Sequence, residues 1–393
     1  MELTQKQQEG LEIAVKRYKE NKPWTCISGY AGTGKSTLVS YIIAALGLNP
    51  TRDVAYIAYT GKAATVLTSK GCPNAKTAHK FLYNTQPLPN GRFKFTPKRV
   101  LDADYKLIVV DEVSMLSKTL WDLLLSHKVH VIACGDPEQL PPIDKSDVHN
   151  VLDTPHIFLD EIMRQVADSE IIQASMKVRT GGRLQRFDGK EVKVMRPFQL
   201  NGSIYLWADQ ILCATNQTRN KINAEVRELK GYPKVPVVGD KVIGLRNHWD
   251  DISVNGNALT NGTIGYIEPG FELKTIRYPS FITTKEIPVL LANIRTEDGD
   301  LFQCIPIDYN SLTTGTKTLT DQEEFTIRKF ESLPTPPYEF AYGYAITTWK
   351  AQGSEWNKVL LIEEGFPFSA DEHRRYMYTG ITRASEKLVT IIK

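Results

Sequence analysis

Cysteine is scarce in this chain and never clustered. The five cysteines, Cys26, Cys72, Cys134, Cys213 and Cys304, have neither zinc-ligand nor redox spacing. A reduced, intracellular protein without structural zinc is the simpler expectation. Long apolar runs are missing as well. The stretches at 41–46 and 106–110 fall far short of the roughly 18 residues that a membrane helix needs, so no membrane partner is expected. The first residues, Met1-Glu2-Leu3-Thr4-Gln5, are polar and show no signal-peptide core, which points to a cytoplasmic location. Repeats and low-complexity runs are also absent. With 41% hydrophobic and 24% charged residues, disorder is excluded as the main theme. At 393 residues the chain exceeds what one core organises, and two or more domains are expected.

One further absence is local. Residues 54–101 contain Lys62, Lys70, Lys76, Lys80, Arg92, Lys94, Lys98 and Arg99 but no Asp or Glu. The chain's average acidic frequency would put roughly five acids there. The same segment carries Tyr56, Tyr59, His79, Phe81, Tyr83, Phe93 and Phe95. Cations interleaved with rings suit a single-stranded nucleic acid, whose phosphates are neutralised and whose bases stack. A solvated surface beside an ordinary core stays open on charge alone. From Asp111 to Glu170 the balance reverses and becomes acidic, so the formal net charge of +3 is a cancellation.

What is present begins with a phosphate loop. Gly29-Tyr30-Ala31-Gly32-Thr33-Gly34-Lys35-Ser36-Thr37 fits G-x-x-x-x-G-K-[ST], with a short buried strand expected at 24–28 and helical apolar spacing at 37–46. The glycines let backbone N–H groups converge on phosphate, and the helix N-terminus adds positive potential. Lys35 would reach the β- and γ-phosphates of ATP, and Ser36 would ligate Mg²⁺. A second strand, 106–110, ends in Asp111-Glu112. Its four apolar residues and terminal acids read as a central parallel strand with carboxylates at its C-terminal edge. Asp111 would hold Mg²⁺ and Glu112 would polarise the attacking water. A third strand, 129–134, leads into Gly135-Asp136-Pro137-Glu138-Gln139-Leu140-Pro141-Pro142. This alternation of strands and helices indicates an α/β fold with a parallel sheet.

Taken in order, these motifs resemble those of superfamily 1B helicases, the 5′-to-3′ branch with RecD-type enzymes and the compact phage helicases of the Dda type. Leu3-Thr4-Gln5-Lys6-Gln7 resembles the adenine-reading Q motif, with Gln7 as the implied adenine contact. Ala58-Tyr59-Thr60-Gly61-Lys62-Ala63-Ala64 and Thr77-Ala78-His79 resemble motifs Ia and Ib, which bind single strands. Gln139 of motif III is implied to sense the γ-phosphate. Leu159-Asp160-Glu161-Ile162-Met163-Arg164 is similar to motif IV, with Arg164 aimed at that phosphate. Thr347-Thr348-Trp349-Lys350-Ala351-Gln352-Gly353-Ser354-Glu355 is similar to motif V, and Tyr378-Thr379-Gly380-Ile381-Thr382-Arg383-Ala384 to motif VI, with Arg383 as arginine finger.

The resemblance thus implies catalysis by Lys35, Asp111, Glu112, Gln139, Arg164 and Arg383. Nucleotide contacts are implied from Gln7, Gly32, Thr33, Gly34, Lys35, Ser36, Thr37 and Glu355, and Mg²⁺ contacts from Ser36 and Asp111. DNA contacts are implied from Thr60, Gly61, Lys62, Thr77, His79, Phe93, Phe95, Thr347, Thr348, Lys350 and Gln352. Trp349 stands where the family usually has His, which suggests packing or stacking there. Tyr30 stands at a free position where Dda-like chains have Pro, and little consequence is expected.

The segment 86–97 has an Asn90-Gly91 turn followed by strict alternation, a β-hairpin signal. It lies where Dda-like enzymes carry a strand-separating pin, and Phe93 and Phe95 share one face. The alternative is that these rings cover the domain's own surface. Residues 231–342 turn rich in Val, Ile, Thr and Gly; strands at 235–247 and around Asn261-Gly262 suggest a small β-barrel, similar to the SH3-like insertion of these helicases. Residues 314–337 read equally as loop or short helix. The expected architecture is therefore α/β: two RecA-like motor domains (1–84 with 100–157, and 158–230 with 341–393), a pin at 85–99 and a barrel at 231–340. The expected function is an ATP-dependent DNA helicase moving 5′ to 3′, working as a monomer on single-stranded and forked DNA. A bacterial or phage-infected cell fits that resemblance, as do replication or recombination partners such as a single-strand-binding protein. An RNA helicase or RNP-remodelling ATPase of the same superfamily, or a non-translocating nucleotide switch, are the alternatives.

Overall fold

The computed structural model describes residues 3–59, 61–87, 93–141, 151–163, 168–246, 248–297, 299–330, 332–365 and 369–393. Helix α1 (Gln5–Lys19) opens on a reciprocal cap. The Gln7 amide donates to Thr4 Oγ1 at 3.3 Å and the Thr4 amide donates to Gln7 Oε1 at 3.0 Å. In chain order follow β1 (Trp24–Gly29), α2 (Lys35–Ala45), β2 (Val54–Ala58), α3 (Gly61–Ser69), β3 (Lys76–Thr77) and α4 (Ala78–Leu82). A two-stranded hairpin, β4 (Tyr83–Pro87) and β5 (Phe93–Pro97), precedes β6 (Leu107–Val110), α5 (Lys118–Ser126), β7 (His130–Gly135) and β8 (Ile157–Leu159).

Six of these strands form a sheet in the order β3-β2-β6-β7-β1-β8, with every neighbouring pair parallel. Alternate side chains feed two cores. Ile108 and Val110 pack with Phe81, Leu82, Trp121 and Leu124 of α4 and α5, whereas Leu107 and Val109 share the other core with Ala14, Leu38 and Ile42 of α1 and α2. Being buried on both faces, these strands carry unbroken apolar runs. The register pairs Ser28 with Gly135 and Val110 with Ala133, so the loops after β1, β6 and β7 leave the same edge.

A second sheet uses β9 (Phe187–Asp188), β10 (Val192–Met195) and β11 (Gln210–Cys213), after α6 (Glu170–Arg179) and around α7 (Gly202–Trp207). The chain then enters α8 (Asn216–Leu229) and a β-rich region. This comprises β12 (Lys241–Gly244), β13 (His248–Ile252), β14 (Ala258–Leu259), β15 (Ile264–Ile267), β16 (Glu272–Arg277), β17 (Glu286–Thr296), β18 (Leu301–Asp308), α9 (Tyr309–Thr314), α10 (Asp321–Arg328), β19 (Phe340–Tyr342) and β20 (Ala345–Thr347). The chain returns to the second sheet through β21 (Trp356–Ile362), α11 (Ala370–Ile381) and β22 (Ala384–Ile391). Its strands run β11-β21-β22-β10 in parallel, with β9 antiparallel at the edge. Gly380 lets α11 lie close to this sheet: a Cβ there would stand 2.6 Å from Leu361 Cδ1.

The chain divides into two compact units. One holds both parallel sheets (residues 3–83, 97–214 and 351–393 of those described), the other residues 84–96 and 215–350. In the second unit β16, β17, β15, β12 and β19 pair antiparallel in that order, and β18 joins the far side of β17. Tyr338, just ahead of β19, bridges Ile307 of β18, which closes strands β17, β15, β12, β19 and β18 into a ring. Leu290, Ile294, Phe302, Tyr338 and Phe340 fill the interior. Of the expected strand at 235–247 only Lys241–Gly244 is one; ahead of it a turn closes from the Asp240 amide to Val237 O at 3.1 Å, with Gly239 at φ 84°. Within 314–337 the helix reading holds at Asp321–Arg328, where Thr320 and Glu323 form a reciprocal cap. Helix α8 groups with the β-rich unit, which begins at Thr215. None of the described helices is long and apolar enough to cross a membrane.

Candidate active site

The loop after β1 turns through two left-handed glycines, Gly32 at φ 76° and Gly34 at φ 77°, before α2 begins at Lys35. Lys35 Nζ donates to the carbonyls of Gly29 (2.8 Å) and Tyr30 (3.0 Å), and buried Thr33 donates from Oγ1 to Tyr30 O at 2.8 Å. Ser36 is exposed on the first turn of α2, with Thr37 half-buried beside it. Two side chains roof the loop. Gln7, 1% exposed, donates from Nε2 to Thr33 O at 3.1 Å, and Met163 donates from its backbone to Gly32 O at 3.0 Å. A Cβ on Gly34 would stand 2.3 Å from Met163 Sδ and 2.4 Å from Gln7 Nε2. The Gln7 amide group is therefore spent on helix capping and on the loop, and Met163 is a roof residue that sequence reasoning missed.

Asp111 and Glu112 stand at the end of β6. Glu112 is held at φ 50°, a left-handed conformation that costs a non-glycine residue about 1–3 kcal/mol and concentrates at functional sites. Its amide donates to Asp111 Oδ1 at 3.0 Å. Burial first, and then the Glu112 charge, push the Asp111 carboxyl above its ordinary range, with Lys35 opposing. Gln139, on the loop after β7, donates from Nε2 to Glu112 Oε1 at 3.4 Å, while its own Oε1 is buried and has no hydrogen-bond partner among the described residues. From the second sheet, Arg383 brings Nη1 to 3.7 Å from the same Glu112 oxygen. Arg383 is 5% exposed, and its guanidinium is fixed by three further acceptors: Thr379 O (3.2 Å), Ser354 O (3.3 Å) and Thr382 Oγ1 (3.2 Å). Asp111, Glu112, Ser354, Glu355, Thr382 and Arg383 line part of a cavity of about 120 Å³. Glu355 pairs there with Lys70 at 2.7 Å.

Helix α11 docks on the loop after β7 through several bonds. Tyr378 donates to Asp136 Oδ2 at 2.6 Å and accepts from the Ala31 amide at 2.9 Å; Thr379 Oγ1 accepts from the Leu140 amide at 2.9 Å. Arg374 pairs with Glu138, Arg375 donates to Pro137 O, and Gln352 donates from Nε2 to Leu140 O. Tyr30, at a free position of the loop motif, has a packed ring in this fold. Arg179 lies over its ring at 3.4 Å, and Phe158 meets it edge-on at 5.3 Å. The interactions of Tyr378, Arg374 and Arg375 escaped the motif reading because their partners lie more than 230 positions away.

Residues 2–193 match the family model described as an AAA domain, and residues 342–391 that of the UvrD-like helicase C-terminal domain. The chain is 28% identical over 384 residues to the ATP-dependent RecD2 DNA helicase of Deinococcus radiodurans, covering 92% of this chain and 46% of that protein. It is 28% identical over 252 residues to the ATP-dependent DNA helicase dda of Enterobacteria phage T4, covering 58% of this chain and 57% of that one. The chain is similar, along most of its length, to DNA helicases of the RecD and Dda type. A solved Pif1 helicase from Bacteroides, in complex with ADP-AlF3 and ssDNA, shares the fold at a TM-score of 0.50 and 17% identity, over 100% of this chain and 95% of that one. The chain spans about half the length of the curated relatives it matches.

The residues expected on the DNA track are placed unevenly. Thr60, Arg164 and residues 88–92 lie outside the described residues, and the burial of Gly61 and the side chains of Lys62 and Phe93 are likewise outside the description. Thr77 is buried and caps α4, its Oγ1 accepting from the Lys80 amide at 3.3 Å. His79 stacks on Tyr83 at 5.7 Å, and burial lowers its pKa to about 4, so the ring is neutral. Phe95 is half-buried. Thr347 and Thr348 are buried, and Gln352 is held on the loop after β7 rather than on an open face. Lys350 donates to Leu245 O at 3.3 Å and to the Asn261 side chain, and burial lowers its pKa to about 8. Three cations of the acid-free segment pair with two carboxylates outside it. Lys70 pairs with Glu355, while Lys76 (3.5 Å) and Lys98 (2.7 Å) pair with Asp102. Lys80, Lys94 and Arg99 are exposed.

Proposed function

We propose that this chain is an ATP-dependent DNA helicase that translocates 5′ to 3′ on single-stranded DNA. The observation carrying this reading is the convergence of Arg383, from the second parallel sheet, on Glu112 beside Lys35 and Asp111 of the first. Hydrolysis of ATP would need all four. Lys35 neutralises the β- and γ-phosphates, Glu112 orients the attacking water, and Arg383 stabilises charge developing on the transferred phosphoryl group. One exposed hydroxyl (Ser36) and one carboxylate (Asp111) fit Mg²⁺, which takes few protein ligands and completes its shell with water and phosphate oxygens. Bound there, the ion would neutralise phosphate charge. Because the catalytic groups come from two sheets, nucleotide occupancy favours their approach and product release their separation. DNA gripped by both then advances along one strand.

The hairpin Tyr83–Pro97 acts as the pin, Phe93 and Phe95 stacking at the fork. The ring-closed β unit is the SH3-like accessory barrel, and the chain works as a monomer. ATP turnover with and without single-stranded DNA, and strand displacement on forks bearing a 5′ or a 3′ tail, test the reading. Stimulation by single-stranded DNA and displacement only with the 5′ tail are expected. Stimulation by RNA alone would make it an RNA-directed relative, turnover without displacement would remove the unwinding role, and displacement only with the 3′ tail would reverse the polarity.

A further inference from the structure

The phenol of Tyr378 occupies a junction that its motif does not explain. It is 1% exposed, on the helix that ends just before Arg383, and its oxygen has one partner on each of two loops of the first sheet. It accepts from the Ala31 amide of the phosphate loop at 2.9 Å and donates to Asp136 Oδ2 at 2.6 Å. The other Asp136 oxygen accepts from the Glu138 amide at 3.0 Å, which sets the turn presenting Gln139 to Glu112. Asp136 is itself 3% exposed. If the phenol withdrew, a buried carboxylate oxygen and a loop amide would both lose their partner, and unmade buried bonds of this kind are costly.

We propose that Tyr378 is a positioning residue that makes approach of the arginine finger and assembly of the hydrolytic site a single event. When α11 seats, the finger arrives at Glu112, the phosphate loop is fixed at Ala31, and Gln139 is set through Asp136. When α11 lifts, all three are released together. The ring packs in a buried core, so Tyr378→Phe removes both hydrogen bonds and preserves shape. This inference rests on the ATPase reading above, and the experiment separates the two.

The test measures single-stranded-DNA-stimulated ATP turnover and the thermal midpoint for the full chain, Tyr378→Phe, Asp136→Ala, Asp136→Asn and the double variant Tyr378→Phe/Asp136→Ala. Tyr378→Phe is expected to lower kcat by about 10- to 100-fold, the loss that a hydrogen bond to a charged group supports, with KM for ATP unchanged. Asp136→Asn keeps an acceptor for the phenol and retains most of kcat, whereas Asp136→Ala matches Tyr378→Phe. The double variant is no worse than either single change, because all act through one connection. Should Tyr378→Phe not fold, the Asp136→Ala and Asp136→Asn pair decides alone. An unchanged kcat in Tyr378→Phe, a fall explained by a lowered thermal midpoint, or additive losses in the double variant would each overturn the positioning role and leave the ATPase reading standing. A wild-type chain without turnover overturns both.

Discussion

Individual side chains carry the chemistry, and two substitutions separate their roles. Lys35→Ala is expected to abolish ATP turnover, since its ammonium is the cation over the phosphate loop; appreciable residual activity in a coupled ATPase assay would refute the phosphate-loop assignment. Arg383→Ala is expected to lower kcat by about 10³ while nucleotide affinity changes little, as for a finger that acts on transition-state charge. Parallel losses in nucleotide binding and kcat would reassign Arg383 to ground-state binding. The roles implied for Lys35, Asp111 and Glu112 were legible in the sequence because each follows a short apolar strand at fixed spacing. Met163, Tyr30 and Tyr378 were not. Nothing local distinguishes a methionine that roofs a glycine turn or a phenol whose partners arrive from another sheet. Those functions exist only once the chain has closed over long sequence separations.

At the level of elements, the parallel sheets were easier to read than the β-rich unit. Strands buried on both faces leave runs such as Leu107-Ile108-Val109-Val110, which no turn interrupts. Val235, Val237 and Val238 have strand-like composition, yet the chain turns there. Asp240 gathers donors from the Val237 amide (2.8 Å), Arg227 Nε (2.9 Å) and Tyr344 (2.9 Å), and this polar centre outweighs β propensity. Asp240 is wholly buried, and Arg227 also lies over the Tyr342 ring at 4.2 Å. Asp240→Ala would strand a buried guanidinium, and a loss of about 3–5 kcal/mol in denaturant unfolding is expected. A change within the range of surface substitutions would show that Arg227 finds another partner. The hairpin Tyr83–Pro97 is tested as an element. Phe93→Ala with Phe95→Ala is expected to impair strand displacement while DNA-stimulated ATPase is spared. Equal loss of both activities would contradict a pin role.

For the whole molecule, the question is which charges meet DNA. The acid-free segment 54–101 looked like one basic track, but the fold divides it. Lys76 and Lys98 share Asp102, and Lys98, the nearer partner, is buried, so the charge of Lys98 is internally compensated. Lys94 and Arg99 are exposed and carry charge to the surface. Affinity for single strands falls with salt because phosphate contacts release condensed cations, with a slope of about 0.7 for each contact. Lys94→Ala with Arg99→Ala is therefore expected to flatten the plot of log affinity against log salt by about 1.4. Lys98→Met is expected to leave the slope unaltered and to reduce stability instead, because it strips Asp102 of its shorter-range partner. Fluorescence anisotropy of a labelled oligonucleotide across a salt series, with thermal melts of the same variants, measures both quantities. A slope change in Lys98→Met, or none in the double variant, would show that the ion pairs open on DNA and that the paired lysines are the ones that grip the strand.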